Sequence, residues 1–320
     1  MRKSLLRMTF RQLQVFRSVC GHLSYSRAAE EMALTQPAVS LQIRQLEALI
    51  GQPLFDYVGK KLYLTEAAEA LQRASADIFG RLESFDMQLS DLQGSLQGQL
   101  GLAVESSVKY FVPHLFAAFR QQYPEINLQL VVTNHAQALK RLNANRDDLL
   151  IMSRVPTDMN LEFLPFLNNP IIAVAPPEHP LCNQGPLSLQ DLTAFPLLIR
   201  EAGSGTRQAC EEYCHQKRAH FPQTLEVGSI EGQREGVIAG LGLALLPRHA
   251  VRRELECCAL RELPVSELPL LHSWCLVHPR GKYLSPVAQA FFAFVRDQRS
   301  LINALAERFA EPTPASRPGN

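Results

Sequence analysis

Residues 24–49 read SYSRAAEEMALTQPAVSLQIRQLEAL, the strongest structural signal in the chain. Ser24 or Ser26 can cap a short helix over 27–33, with Ala29 small where another helix would cross. Leu34-Thr35 turns the chain. Thr35 then caps a further helix, with Pro37 tolerated in its first turn, running to about residue 49 and burying Val39, Ile43, Leu46 and Leu49. Two short helices joined by a tight turn form a helix-turn-helix. The outward face carries Gln36, Ser40, Gln42, Arg44 and Gln45, side chains that hydrogen-bond base edges and phosphates. Upstream, Phe10, Leu13, Val15, Phe16 and Val19 recur at helical spacing behind a Thr9 cap. Downstream, residues 55–65 read as a wing. Leu62 and Leu64 alternate with Lys61, Tyr63 and Thr65, and Gly59-Lys60-Lys61 forms a basic tip that can reach a minor groove or phosphate.

Charge supports this reading. Residues 1–65 hold nine Lys/Arg against four Asp/Glu, whereas the whole 320-residue chain is +1. The rest is therefore acidic, and a basic module on an acidic body suits a nucleic-acid reader. The composition, 46% hydrophobic and 20% charged, is that of a soluble globular protein of two or three domains. No apolar run approaches the roughly 20 residues of a membrane span, and the stretch after the basic Met1-Arg2-Lys3-Ser4 is too short for a leader core. A cytoplasmic protein is expected. The seven cysteines include no metal-spaced set and read as reduced, buried thiols.

A long helix opens at Thr65-Glu66. Leu71, Ser75, Ile78, Leu82, Phe85, Leu89, Leu92 and Leu96 alternate spacings of four and three, a coiled-coil seam. A homodimer follows, with two reading heads for a roughly palindromic DNA site. Gly94, Gly98 and Gly101 end the helix and lead into the next domain.

From residue 99 strands alternate with helices, which predicts an α/β domain with a mostly parallel sheet. Strands are expected over 100–104, 127–133 and 149–152, with helices over 112–123 and 136–143. A second lobe begins near Phe166 and the chain returns near 273–277, giving two lobes with two crossings. Boundaries are expected at 1–65, 66–97 and 98–303, with lobe I about 98–165 plus 270–303, lobe II about 166–269, and a disordered tail over 304–320. Ligands of open α/β sheets lie at the carboxyl ends of strands. Ser106-Ser107, Ser153-Arg154 and the run from Arg200 to Arg207 occupy such ends. In the last, glycines let backbone N–H groups converge at a helix N-terminus, and Arg200 and Arg207 add charge, so a small anionic metabolite is the expected ligand.

The stretch from residue 10 to 71, above all Ala28-Ala29, Thr35-Gln36-Pro37-Ala38-Val39-Ser40, Gln45-Leu46-Glu47 and Pro53-Leu54-Phe55, resembles the LysR-type transcriptional regulators. The resemblance covers about residues 9–300. It implies a winged helix-turn-helix, a dimerising linker helix and a two-lobed sensor like a periplasmic binding protein. DNA contacts would fall on Thr35, Gln36, Pro37, Ser40, Leu41, Arg44, Lys60 and Lys61. Leu41 and Tyr57 stand where the family often has Arg. The segments KYFVPHL, FLNNPIIAVAPPEHPL, REAGSGTR and VIAGLGLALLPRH resemble regulators of carbon-fixation operons, which respond to phosphorylated sugars or dinucleotides. In that pattern Ser106, Ser107, Lys109, Asn134, Arg154, Arg200, Ser204, Thr206, Arg207 and Ser229 line the cleft. The resemblance also implies promoter DNA, a homotetramer and RNA polymerase as partners.

Catalysis finds little support. Ser106-Ser107-Val108-Lys109 fits Ser-x-x-Lys, but its partner motifs are absent. Gly240-Leu241-Gly242 lacks the rest of a dinucleotide fingerprint and marks close packing instead. Neither metal nor cofactor is expected. The competing reading is a metabolite-binding protein without regulatory DNA binding.

Overall fold

The computed structural model describes residues 5–59, 61–91 and 96–310. Lys60, Leu92, Gly94 and the last ten residues of the expected tail lie outside them. The chain divides into two units, Met1–Phe85 with Ala144–Arg146, and Asp86–Asn143 with Asp147–Asn320.

The first unit opens with α1 (Phe10–His22), α2 (Tyr25–Glu31) and α3 (Gln36–Ile50). Thr9 and Thr35 are the expected caps, and of Ser24 and Ser26 it is Ser24 that starts α2, two residues earlier than the expected helix over 27–33. Thr9 makes a capping box with Gln12, Ser24 accepts from the Arg27 N–H, and Thr35 accepts from the Ala38 N–H. Strands β1 (Phe55–Val58) and β2 (Lys61–Leu64) pair antiparallel as the wing. Gly59 at its tip has φ +56°, a conformation favouring glycine. One core gathers Val15, Phe16, Val39, Ile43, Leu46, Leu54 and Leu62, while Leu49 is only half-buried. Helix α4 (Glu66–Asp91) joins this core through Ala68, and its Phe79 ring meets Phe10 edge-on at 6.1 Å with the Arg17 guanidinium above it. Ser75, placed on the expected seam, is buried within the chain. Ile78, Leu82, Phe85 and Leu89 form an exposed apolar stripe.

The second unit continues with β3 (Gly98–Glu105), α5 (Val112–Gln122), β4 (Ile126–Thr133), α6 (His135–Asn143), β5 (Leu149–Met152) and the 15-residue β6 (Leu161–Ala175). There follow α7 (Leu189–Leu192), β7 (Leu197–Ile199), α8 (Gly205–Gln216), β8 (Thr224–Glu226), α9 (Ile230–Ile238), β9 (Leu243–Pro247), α10 (Arg252–Glu256), β10 (Arg261–Glu262), β11 (Leu270–Pro279), α11 (Pro286–Asp297) and α12 (Arg299–Ala310). A single sheet runs β4-β3-β5-β11-β6-β9-β7-β8, with β10 beside β6. The two expected crossings are β6 and β11, paired with each other along their length. They run antiparallel to their neighbours, so the sheet is mixed rather than mostly parallel. The parallel pairs lie within each lobe, where helices cross between strands.

Alternation sets the cores. In β6, Ile171, Ala173 and Ala175 face α8, while Ile172 and Val174 face α9. In the first lobe Leu100, Leu102 and Val104 face α5 and α11 around Phe119, Trp274 and Phe291. The expected tail over 304–320 is corrected in part. Helix α12 continues to Ala310, because Ile302 and Ala306, one helical turn apart, bury against this core. At Gly242 an added Cβ would lie 2.3 Å from the Pro196 carbonyl oxygen at φ +155°, the close packing its surroundings suggested. Cys20, Cys210, Cys214 and Cys275 are buried as expected, but Cys257 and Cys258, beyond the short α10, are exposed.

His249 packs 5.2 Å from the Trp274 ring, and burial lowers its pKa below the ordinary 6.5. Burial lowers His179 and His272 in the same direction. A histidine whose folded pKa is depressed contributes stability that is whole above the ordinary histidine range and is lost as pH falls below it. The melting temperature of the second unit is therefore expected to fall between about pH 7.5 and about pH 5.5, less steeply in a His249→Gln variant. A melting temperature that holds or rises on acidification would refute this.

Candidate functional sites in the two units

In the first unit the exposed side of α3 presents Gln36, Pro37, Leu41, Arg44 and Gln45, with Thr35 exposed at its cap and Ser40 and Gln42 half-buried. The side chain of Lys61 is exposed at the start of β2. Sequence reasoning missed what holds the wing against the helices. The Glu47 carboxylate accepts the Leu54 N–H at 2.8 Å, and the Thr65 hydroxyl donates to the Pro53 carbonyl at 2.8 Å. Tyr25 packs edge-on against Phe55 and lies parallel to Tyr57 at 6.5 Å. Burial, reinforced by the Glu47 carboxylate, pushes the Tyr25 hydroxyl up to about 12. The surface is basic and polar, with Leu41 on α3 and Tyr57, Val58 and Tyr63 on the wing exposed among the charges.

In the second unit the carboxyl ends of β3 and β7 face each other between the lobes. Arg200, 4% exposed, follows β7 and donates from Nη2 to the Ser106 hydroxyl at 3.2 Å. Its Nε and Nη2 also hold Glu201 in a bidentate pair at 2.7 and 3.0 Å. Ser107 is buried and accepts from the Trp274 indole N–H at 3.4 Å. Lys109 reaches Glu231 at the start of α9, 2.6 Å away, and the Tyr110 hydroxyl donates to the same carboxylate at 2.9 Å. Burial works to raise the Glu231 carboxyl, but the Lys109 ammonium and the Tyr110 hydroxyl outweigh it and hold the group below the usual carboxylate range. Arg154 pairs with Glu212 of α8 at 2.7 Å. These ion pairs and the Ala136 N–H bond to Gly203 O at 3.1 Å tie the first lobe to the second.

The remaining expected residues divide by role. Ser204 and Ser229 cap α8 and α9, and Asn134 accepts the Gln137 N–H at the start of α6. Thr206 is buried in the first turn of α8. Arg207 turns away from the first lobe, held by Glu211, Glu226 and the Arg200 carbonyl. Its partner on β8 is nineteen residues distant, which a local reading could not anticipate.

Glu105 was also missed. It is 3% exposed, accepts from the Ser153 N–H and hydroxyl at 3.0 and 2.8 Å, and meets His135 Nδ1 at 2.7 Å. A Cβ on Gly205 would lie 3.2 Å from its Oε1, so this carboxylate sits against the N-terminus of α8. Its only sequence signal was a charge ending an apolar strand. The helix end expected to attract an anion thus already has a carboxylate beside it. The arrangement can bind an anion that replaces protein carboxylates on Lys109 and Arg200. In the Ser-x-x-Lys pattern, the Lys109 ammonium pairs with Glu231. Among the described residues no group of three or more His, Cys, Asp or Glu could hold a metal, and no helix is long and apolar enough to cross a membrane.

Comparison with known proteins follows this division. Residues 10–69 match the bacterial regulatory helix-turn-helix protein, lysR family, and residues 93–300 match the LysR substrate binding domain. A RuBisCO operon transcriptional regulator of Acidithiobacillus ferrooxidans is 40% identical over 292 residues, 91% of this chain and 94% of that protein. The HTH-type transcriptional activator CmpR of Synechocystis sp. is 39% identical over 292 residues, 91% of this chain and 96% of its own. The regulatory domain of Synechocystis PCC6803 CcmR, solved in complex with 2-PG, superposes with a TM-score of 0.60 and 35% identity over 63% of this chain and 97% of that one.

Proposed function

We propose, from the premise that this chain belongs to the LysR family of transcriptional regulators, that it controls a carbon-fixation operon in response to a small anionic metabolite held between its lobes. The observation that carries the effector site is the buried Arg200 guanidinium meeting Ser106 across the lobes. The anion would take the place of Glu201 on Arg200 and of Glu231 on Lys109, with Ser106, Ser107 and Thr206 supplying hydroxyls. Asn134, Ser204 and Ser229 position the backbone around it. Arg154 acts as a lobe-to-lobe tie rather than a ligand contact. Releasing the cross-lobe pairs changes the equilibrium between lobe arrangements by the difference in anion affinity for each.

On the DNA side, Gln36 and Arg44 read base edges, Thr35, Pro37 and Ser40 position α3, and Lys61 with Lys60 neutralises phosphate. Leu41 contacts a thymine methyl, which favours A·T pairs where an arginine would favour guanine. The exposed stripe of Ile78, Leu82, Phe85 and Leu89 pairs with a second copy, placing two reading heads on one site. A tetramer and a contact with RNA polymerase complete the family reading, and the protein acts in the cytoplasm without catalysis.

Footprinting of the DNA upstream of its own gene, with and without 2-PG, tests the whole reading. A 2-PG-dependent change in a salt-sensitive, sequence-specific footprint is expected. Identical footprints would count against it. The division of labour is tested separately. Gln36→Ala should cost about 1–3 kcal/mol on the target and little on random DNA. Lys61→Ala should weaken both alike and lower the salt slope by about one. Equal behaviour of the two variants would refute the assignment.

A further inference from the structure

We infer that the second lobe holds a ligand pocket of its own beneath α8, adjoining the interlobe cleft at Arg200 and Thr206 and built for a small apolar acid carrying a hydroxyl beside its carboxylate. A cavity of about 530 Å³ lies between α8 and the sheet strands β7 and β9. Among the described residues, all that line it belong to the second lobe. Leu197, Ile199 and Leu245 from the sheet, Cys210 and Cys214 from α8, and Phe221 make apolar walls. Protein interiors leave few voids larger than a water. This volume falls in the roughly 300–1,000 Å³ range of small-molecule sites.

Two polar atoms of lining residues are buried with no hydrogen-bond partner, Nη1 of Arg200 and Oε1 of Gln233. Their residues are 4% and 1% exposed. The orientation of the Gln233 amide follows from chemistry. Its Nε2 donates to the Leu198 carbonyl at 2.7 Å, and a carbonyl only accepts, so the unpaired end is the oxygen. The β7–β9 ladder stops at Leu198 and Ala244, where the Gln233 side chain takes over that carbonyl. An unmet donor and an unmet acceptor are each destabilising when buried, because neither can recover the hydrogen bond it made to water. One ligand relieves both: its carboxylate accepts from Arg200 and its hydroxyl donates to Gln233. Arg200, Arg207 and Arg218 line the cavity against the single carboxylate of Glu211, which favours an anion over a cation. The Arg200 guanidinium also reaches Ser106 in the first lobe, so a molecule held on its Nη1 steadies a group that ties the lobes together.

Calorimetric titration of the full chain with salicylate tests the proposal, because its carboxylate and hydroxyl sit on adjacent ring carbons. Saturable binding at one site per chain is expected. Benzoate, lacking the hydroxyl, and the Gln233→Leu variant with salicylate should each bind about tenfold more weakly, near 1.4 kcal/mol. Ala219→Leu, which fills the cavity, should abolish binding. Arg218→Gln, at an exposed rim position, should weaken it about threefold with an unchanged melting temperature. A co-crystal should place salicylate between α8 and β7. Absence of saturable binding, equal affinity for benzoate, wild-type affinity in a folded Ala219→Leu, or salicylate located in the interlobe cleft would each overturn the proposal.

Discussion

Arg200→Ala is expected to lower the affinity of the full chain for an anionic effector, probed with 2-PG, by at least about a hundredfold, or 2.7 kcal/mol. Two effects add. The variant loses charge-assisted bonds worth about 1.5–3 kcal/mol each. It also leaves Glu201 beside the cleft with no guanidinium to neutralise it, so an incoming anion meets a bare carboxylate. The tie from Arg200 to Ser106 is lost as well, and with it part of the lobe alignment that presents Ser106 and Ser107. Arg200→Lys separates charge from geometry. It keeps the cation but cannot hold Glu201 through two parallel bonds, so it should recover only part of the affinity. Calorimetry at constant salt, alongside a melting curve for each variant, measures the effect. An Arg200→Ala chain that melts as the wild type does and binds 2-PG within about threefold of it would remove Arg200 from the site.

The second large effect belongs to the other unit. Phe16 is fully buried, 5.8 Å from the Phe55 ring at the base of the wing, and shares a core with Val39, Ile43 and Leu46 of α3. Phe16→Ala removes a ring from a small core and should cost about 3–5 kcal/mol. For a module of this size each kcal/mol moves the melting point by about 4–8 °C, so a drop of at least about 12 °C is expected for the first unit. DNA binding should fail at temperatures where the second unit, by its own melting transition, is still folded. That split is informative, because α3 keeps every reading side chain while losing the core that orients it. Calorimetric melting followed by two probes, helix signal and ligand binding, tests it. A first-unit transition unchanged in Phe16→Ala would show that its core is not centred on this ring.

Much of the reading head was legible because its signals are local. A cap and its helix lie within four residues, as at Thr9, Ser24 and Thr35, so the side chain that starts each helix is written beside it. The wing was legible for the same reason, two short strands about a Gly-Lys tip. So were the first three strands of the sensor, although α12 was not, since nothing near Arg299 announces that Ile302 and Ala306 will find the Trp274 core.

By itself the sequence determined the winged helix-turn-helix, the alternation of strands and helices in an α/β sensor, the two crossings between lobes and the residue types at the strand ends. Tertiary structure alone decided which of those residues meet. Arg200 and Ser106 are 94 positions apart, and Tyr110 and Glu231 are 121 apart. No periodicity spans such distances, because the pairing depends on how β6 and β11 carry one lobe against the other. The same packing turned Arg207 toward Glu226, set Glu105 against the start of α8 and left Arg200 and Gln233 each with a buried atom unpaired. Caps and alternation are contests among neighbouring atoms and are settled in the sequence. A binding site is a meeting of distant ones, and only the folded chain sets their distances.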